Sequence, residues 1–490
     1  MKHKYFLFGV ICLFVSTFFA QEKLVTFKND LDDSKYSIKE VIPVVNQNND
    51  NISLFFMNTK RVYGYLLNDN FQVIKKLSSE DRRRKYNTII GYSVTDSLNY
   101  NLYLTNNKSN KFAGINFSFN GGNSLLNEFE FQNSNEKFVQ TVTIKNSCYL
   151  ISILSESSVL KIYKLDGISS PKPYSIDLKN EFFLGRDDDK VPLYSLFKIK
   201  SNGLFVGIET DKIEDDTPNS IEVVSEEKKL YIIDDKIVFT FDNNKNVTQI
   251  LTINPMDYSY DIKSYQKPLL KIKPHQKKSN SFISDDKIFT IASTNDSLGF
   301  MIQDFKTRKV LKEFLVTKED SITFKNTPII QEGGVYDKYR ELEGSRKFLR
   351  KLTSADLGIS AYKQRDDYLI TIGSKKEIKV GGGSGMMMPM GGFGGIPIAS
   401  IGSANIFFNP TFYAYNSYST TKSVHIKSLF DSDFNHVKGA IKDNSFDKIK
   451  NHSEPGNLLG GKTIFKYKNY FILGNYISKS KSYILKRFND

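Results

Sequence analysis

Strand signals run through this chain from about Leu24 to its last residues, and they recur in one form. Short apolar or alternating runs rich in Ile, Val, Phe, Tyr and Thr each end at a cluster of Asn, Asp, Gly or Ser, the residues that turn one strand into the next. ISLFFMN (Ile52 to Asn58), VYGYLLN (Val62 to Asn68), YNLYLTN (Tyr100 to Asn106) and CYLISIL (Cys148 to Leu154) are typical, and KIVFTFD, KIFTIAS, DYLITIG and YFILGNY continue the series. Apolar residues at helical spacing are almost missing. DKYRELEGSRKFLRKL, Asp337 to Leu352, is the exception and predicts one or two helical turns despite Gly344. A chain of 490 residues patterned this way folds as an all-β protein with a full core.

The strands also repeat as units. TIIGYSVTDSLNYNLYL (Thr88 to Leu104) and KIFTIASTNDSLGFMIQDF (Lys287 to Phe305) share strand, Asp-Ser-Leu turn, strand. A second theme joins two strands by a polar hairpin, as in NSCYLISILSESSVLKIYKL and NYFILGNYISKSKSYILKRF. These units start roughly 40 to 60 residues apart, the period of propeller blades. The last hairpin ends at Phe488 with no outer strand after it, while EKLVTFKND near the N-terminus is a strand without a partner of its own. If Leu24 to Lys28 supplies that missing edge, the termini close a ring and leave no long open edge. The arrangement resembles a β-propeller. The resemblance implies about seven blades, with six or eight also open, in a single domain over 21–490. Tandem β-sandwiches are the main rival, but they call for a mid-chain linker that the scattered Pro and Gly do not mark. An outer-membrane barrel needs longer strands with an uncharged lipid-facing row.

Residues 1–20 read as a signal peptide: Lys2 and Lys4, then FLFGVICLFVSTFF, then Ala20 before Gln21. The Phe-Ala-Gln ending resembles leaders of Bacteroidota, and the resemblance implies an exported protein of the flavobacterial type, in the periplasm or at the cell surface. The apolar run is too short for a membrane-spanning helix. Cleavage takes the net charge from +14 to +12 and removes Cys12, so Cys148 is left with no disulfide partner. The positive charge is mostly Lys, spread along the chain. The one dense Arg run is Arg82, Arg83 and Arg84, which reads as a solvated loop, so no nucleic-acid partner is expected.

Residues 380–421, 42 in a row, carry no charge. The stretch opens VGGGSGMMMPMGGFGGIPIASIGSA, and its Gly and Pro content rules out a transmembrane helix. It reads as a loop insertion over 380–404 between the strand DYLITIG and a following strand ANIFFNPTFYAYNSYS. Three readings stand. It is a low-complexity insertion; or a contact surface in which Met386, Met387, Met388, Met390, Phe393, Ile396 and Ile398 bury against a protein groove or the outer-membrane surface; or a thioether site for a soft metal. The last lacks any neighbouring His or Cys.

No catalytic signature stands out. His275, His425, His436 and His452 show no ligand spacing, and there is no nucleophile elbow, phosphate loop or dinucleotide fingerprint, so neither metal nor cofactor is expected. The acidic runs Asp187–Asp189 and Glu214–Asp216 lack the alternation of a calcium loop and read as solvated loops. Cys148, in an apolar run, reads as an inert buried thiol. Asp-Ser before an aliphatic residue resembles the O-glycosylation acceptor of Bacteroidota, which points to Ser97, Ser297 and Ser321; turn chemistry alone gives the same pattern. The expected role is a non-catalytic binding or scaffold module of the cell envelope. Two alternatives remain, a hydrolase or lyase with its site at the central channel and a glycan binder. The absence of Trp weakens the glycan reading.

Overall fold

The computed structural model describes residues 21–32, 36–80, 84–129, 135–201, 204–208, 210–333, 339–375, 409–420, 422–452 and 461–490. Among them the strands form seven sheets of four or five strands and two small two-stranded hairpins. The sheets follow one another along the chain as blade 1 (40–78), blade 2 (88–129), blade 3 (136–177), blade 4 (211–266), blade 5 (278–317), blade 6 (329–430) and blade 7 (463–488 with 21–28). In blades 1, 2, 3 and 5 the four strands pair in sequence order, antiparallel throughout. First strands are buried along most of their length, as in Glu40–Val45, whereas last strands such as Val73–Ser78 are open to solvent. Each blade therefore runs from an inner strand to an outer edge. First strands of neighbouring blades touch, Glu40–Val45 with Thr463–Tyr467 and Lys278–Ser284 with Asp356–Gln364. The protein is a seven-bladed β-propeller.

The core lies between blades rather than inside one. Ile42, Phe55 and Leu66 of blade 1 pack on Tyr100, Leu102 and Phe117 of blade 2, and Leu150 and Tyr163 of blade 3 on Tyr103 and Phe112 of blade 2. Each sheet thus buries both faces, which is why the strands read as near-continuous apolar runs. Five helices complete the described fold: α1 (Leu193–Phe197), α2 (Ile221–Val224), α3 (Ser345–Thr353), α4 (Pro410–Ser419) and α5 (Ser445–His452). Helix α1 extends the core between blades 3 and 4. Helices α4 and α5 pack Tyr415, Phe446 and Ile449 against Ile464, Phe471 and Phe488 of blade 7.

The termini close the ring. Gln21–Lys28 pairs antiparallel with Ser482–Phe488, Gln21 opposite Phe488 and Lys28 opposite Ser482, with a bulge between Lys23 and Val25. This is the edge that the unpartnered N-terminal strand predicts, and it hides the open side of the last hairpin. Two expectations change. In 337–352 the described part splits into a strand, Tyr339–Leu342, and α3, because Gly344 at φ 79° breaks the chain just before Ser345. The described part of ANIFFNPTFYAYNSYS, from Asn409 on, is a helix and not a strand. Asn409 caps α4 by accepting from Phe412 N at 3.0 Å, Pro410 takes the first turn, and Ser423–Phe430 is the next described strand of the blade.

Candidate functional site

Between blade 3 and the second strand of blade 4 the chain makes a long excursion, 178–227, and its last part lies at the ring axis. Gln140, on the inner strand of blade 3, donates from Nε2 to Thr210 O at 3.3 Å. Asp211 and Lys212 then pair parallel with Lys229 and Leu230, and so lie one strand further in than the rest of blade 4. Ile213 turns into the core beside Tyr231 and Phe282. After it, Glu214–Asp215–Asp216 crosses between blades. Ser284 of blade 5 donates to Asp215 O at 2.9 Å, and Lys466 on the inner strand of blade 7 pairs with Asp216. Thr411 of α4 donates to the Glu214 carboxylate.

A tight turn returns the chain. Asn219 Nδ2 donates to Glu214 O at 2.8 Å and to Thr217 O at 3.0 Å, and Thr217 Oγ1 to Glu214 O at 3.1 Å. Helix α2 follows and lies on the inner strand of blade 6 at Gly358, where a Cβ would sit 3.2 Å from Ser225 N and from Val224 Cγ2. A side chain there would press on α2 and require it to give by a few tenths of an ångström. Ser220 Oγ meets Ser417 Oγ of α4 at 2.6 Å. The axial segment is thereby fastened to blades 3, 4, 5, 6 and 7.

This setting shifts the ionisation of its side chains. Burial, reinforced by the Asp216 charge, raises Glu214 to about 7 and Asp215 to about 6. Burial lowers Lys212 to about 8, and the Glu214 and Cys148 charges oppose the shift. Lys212 and Glu214 nonetheless keep some accessible surface. Cys148 is fully buried, and desolvation pushes its thiol up to about 12. It is the inert thiol its sequence context implies. Tyr92 of blade 2 is also raised by burial and feels both Cys148 and Glu214, so groups from blades 2, 3 and 4 share one electrostatic neighbourhood.

Of the acidic run, Glu214 and Asp215 are partly buried and tied to neighbouring elements rather than solvated as the sequence suggests, whereas Asp216 is exposed, as are Asp187–Asp189. Among the described residues no three His, Cys, Asp or Glu side chains gather as metal ligands do. His425 is buried beside Ser423 Oγ at 3.0 Å, and burial lowers it to about 3, so it stays neutral. Ser97 lies exposed in the hairpin between Thr88–Val94 and Asn99–Thr105. Ser297 opens a strand and is partly buried, with Thr294 Oγ1 at 3.1 Å. Ser321 is exposed on the rim of an open cleft of about 460 Å³ that Glu313 and Phe324 also line. Residues 1–20, Arg82, Arg83, and Met386, Met387, Met388, Met390, Phe393, Ile396 and Ile398 lie outside the described residues. The points flanking 376–408 are placed. Lys375 bonds Glu226 at 2.9 Å beside α2, and Asn409 Nδ2 donates to Thr463 Oγ1 at 3.1 Å and Ile464 O at 2.9 Å on the inner strand of blade 7. No described helix is long and apolar enough to cross a membrane.

Sequence reasoning missed Lys212, Thr411 and Lys466 as neighbours, because they come from positions up to 254 residues apart that only ring closure unites. One signal was available: the connection 178–227 is far longer than 267–277, the next one between blades.

No protein-family model and no curated protein matches this chain. Solved structures do. The β-propeller domain of Nup133 from Vanderwaltozyma polyspora is similar over 95% of this chain and 97% of its own, at 9% identity and a TM-score of 0.35. One of two prolyl endopeptidases, described for inter-domain dynamics in catalysis and specificity, is similar over 92% of this chain and 47% of its own, at 7% identity and 0.32. A triple arginine mutant of AofleA from Arthrobotrys oligospora is similar over 57% of this chain and 74% of its own, at 10% identity and 0.25.

Proposed function

We propose that this chain is an exported, non-catalytic binding or scaffold protein of the bacterial cell envelope, and that it contacts an envelope protein or the outer-membrane surface through the uncharged segment at 380–398. The observation that carries the reading is the position of that segment's anchor points. Lys375 pairs with Glu226 beside α2 and Asn409 bonds the inner strand of blade 7, so the described residues on either side of the insertion lie near the axial segment. A propeller supplies a rigid frame whose loops vary freely, and an insertion rich in Met, Phe and Ile suits burial against a partner. A chain cut after Ala20 would keep Gln21, which opposes Phe488 in the closing pair of strands. The test is deletion of 380–398 followed by affinity isolation from envelope fractions. The deleted protein should keep its melting temperature and lose its co-purifying partners. Retention of the same partners refutes the contact role.

A further inference from the structure

The outer strand of blade 5, Val310–Thr317, is eight residues long, against five to seven in blades 1 to 4. Two of those shorter edges also carry the usual protection, Lys75 and Lys76 in blade 1 and Pro173 in blade 3. Val310–Thr317 pairs antiparallel with Ser297–Asp304, Leu298 opposite Val316 and Phe300 opposite Phe314, and Lys318 N donates to Asp296 O at 2.9 Å just beyond the pair. Bonded and non-bonded pairs alternate in such a ladder, so Phe314 and Val316 bond inward while Glu313, Leu315 and Thr317 turn their N–H and C=O away from the sheet. Thr317 obeys this parity, since its N–H is taken from outside by Asp320 Oδ2 at 2.8 Å. Glu313 and Leu315 line the open cleft of about 460 Å³, whose apolar wall is Phe314, Val316 and Phe324, and Leu315 is 63% exposed. The charge of the cleft is one-sided. Glu313 and Asp320 line it, while the nearby bases are engaged elsewhere, Lys312 with Asn435 at 2.9 Å, Lys318 with Asp296 at 2.6 Å and Arg346 with Glu319 at 3.6 Å.

We propose that this edge docks an extended segment of a partner protein, added antiparallel to the four-stranded sheet of blade 5, with an apolar side chain at its centre and a basic one at each end. A segment residue opposite Leu315 exchanges N–H and C=O with it, and the residue two further on does the same with Glu313. The residue between them stands opposite Phe314 and, by strand alternation, points to the side of Phe314, Val316 and Phe324, which calls for an apolar side chain. The residue opposite Glu313 meets its carboxylate, and the one opposite Thr317 meets Asp320, which calls for Lys or Arg at both places. Asp320 also holds Thr317 N and Oγ1, so it sets where the added ladder stops. A second copy of the same edge fits poorly, because two such edges bring like charges together. The site is separate from the contact proposed at 380–398, and neither depends on the other.

The full-length mature protein, titrated into a fluorescein-labelled Lys-Val-Ser-Phe-Lys peptide amide and followed by fluorescence anisotropy, gives the test. Binding should weaken at least about tenfold when both lysines of the peptide are replaced by Glu, and by a similar factor when the serine nitrogen is methylated. Leu315→Pro removes the outward N–H without touching a ladder bond, so it should keep the native melting temperature and lose the peptide. Leu315→Ala keeps the backbone donor and should bind within about threefold of the native protein. Glu313→Lys, an exposed change that leaves every backbone donor in place, should weaken the Lys peptide about tenfold and favour the Glu peptide. Absence of binding, equal binding of the Lys and Glu peptides, or binding that survives both Leu315→Pro and serine methylation overturns the proposal. A native dimer in sedimentation that Leu315→Pro dissociates assigns the edge to a second copy and overturns it too.

Discussion

Asp242→Asn tests what holds blades 4 and 5 together. Asp242 follows the strand Lys236–Phe241 and has no exposed surface. Its Oδ2 accepts from Lys229 Nζ at 2.9 Å, Ser281 Oγ at 2.9 Å and Ser281 N at 3.2 Å, and its Oδ1 from Lys267 Nζ at 2.8 Å and Thr248 Oγ1 at 2.7 Å. Ser281 belongs to the inner strand of blade 5, so one carboxylate spans the interblade seam. Burial opposes its charge, but the two ammonium groups and the hydroxyls outweigh that and hold it well below the usual carboxylate range. An Asn of the same shape removes the charge and leaves two buried ammonium groups facing an amide. Breaking a buried pair in this way costs about 3 to 5 kcal/mol. Unfolding entropy for a domain of this size is about 1 kcal/mol per kelvin, so the melting temperature should fall by about 4 °C. The pH response adds a second check. Lys267 is lowered to about 8, so between there and its unfolded value the native state has released a proton that the unfolded chain still holds, and stability rises with pH across that window. Without Asp242 the window moves lower, and the gap between D242N and the native protein should narrow from pH 7 to pH 9. Urea melts at both pH values measure it. A loss below about 1 kcal/mol at pH 7, or a gap that does not narrow, refutes the account.

Phe27 in the closing strand meets Tyr65 at 5.3 Å, Tyr483 at 6.0 Å and Phe56 at 6.1 Å between ring centroids, so Phe27→Ala should cost about 2 kcal/mol in chemical denaturation and speed proteolysis near the N-terminus. Asn409→Ala removes the cap of α4 and its bonds to blade 7, and should lower stability by about 1 kcal/mol. Gly358→Val forces a side chain into α2 and should destabilise by about 1 to 3 kcal/mol. Glu214 ionises in the folded protein only near pH 7, so its stability contribution is intact below its unfolded value and is lost as pH rises through 7; in melts from pH 4.5 to 8, Glu214→Gln should flatten that decline.

Blade architecture was legible because propeller strands announce themselves locally. Each of Asp234–Asp235 and Asp285–Asp286 takes two consecutive positive φ values in a two-residue hairpin, and each is followed by Lys-Ile and an apolar run, so turn and strand are written within ten residues. Closure by the first strand was legible for a related reason, since an edge without a partner at each end of one chain has a single economical solution. Helix α4 was misread because FYAYNSY has the aromatic content of a strand, and the deciding signal was the Asn-Pro pair ahead of it, which caps a helix and cannot continue a ladder.

The axial segment escaped the sequence for a different reason. Glu214, Asp215 and Asp216 look like a hydrophilic loop because polarity reports affinity for water and not access to it. Their setting comes from contacts that no local pattern can place: Thr411 donates to the Glu214 carboxylate, Ser284 to the Asp215 carbonyl, and Lys466 of blade 7 pairs with the Asp216 carboxylate. Removing the Thr411 hydroxyl would leave the part-buried Glu214 carboxylate without that bond and disfavour its charged form further.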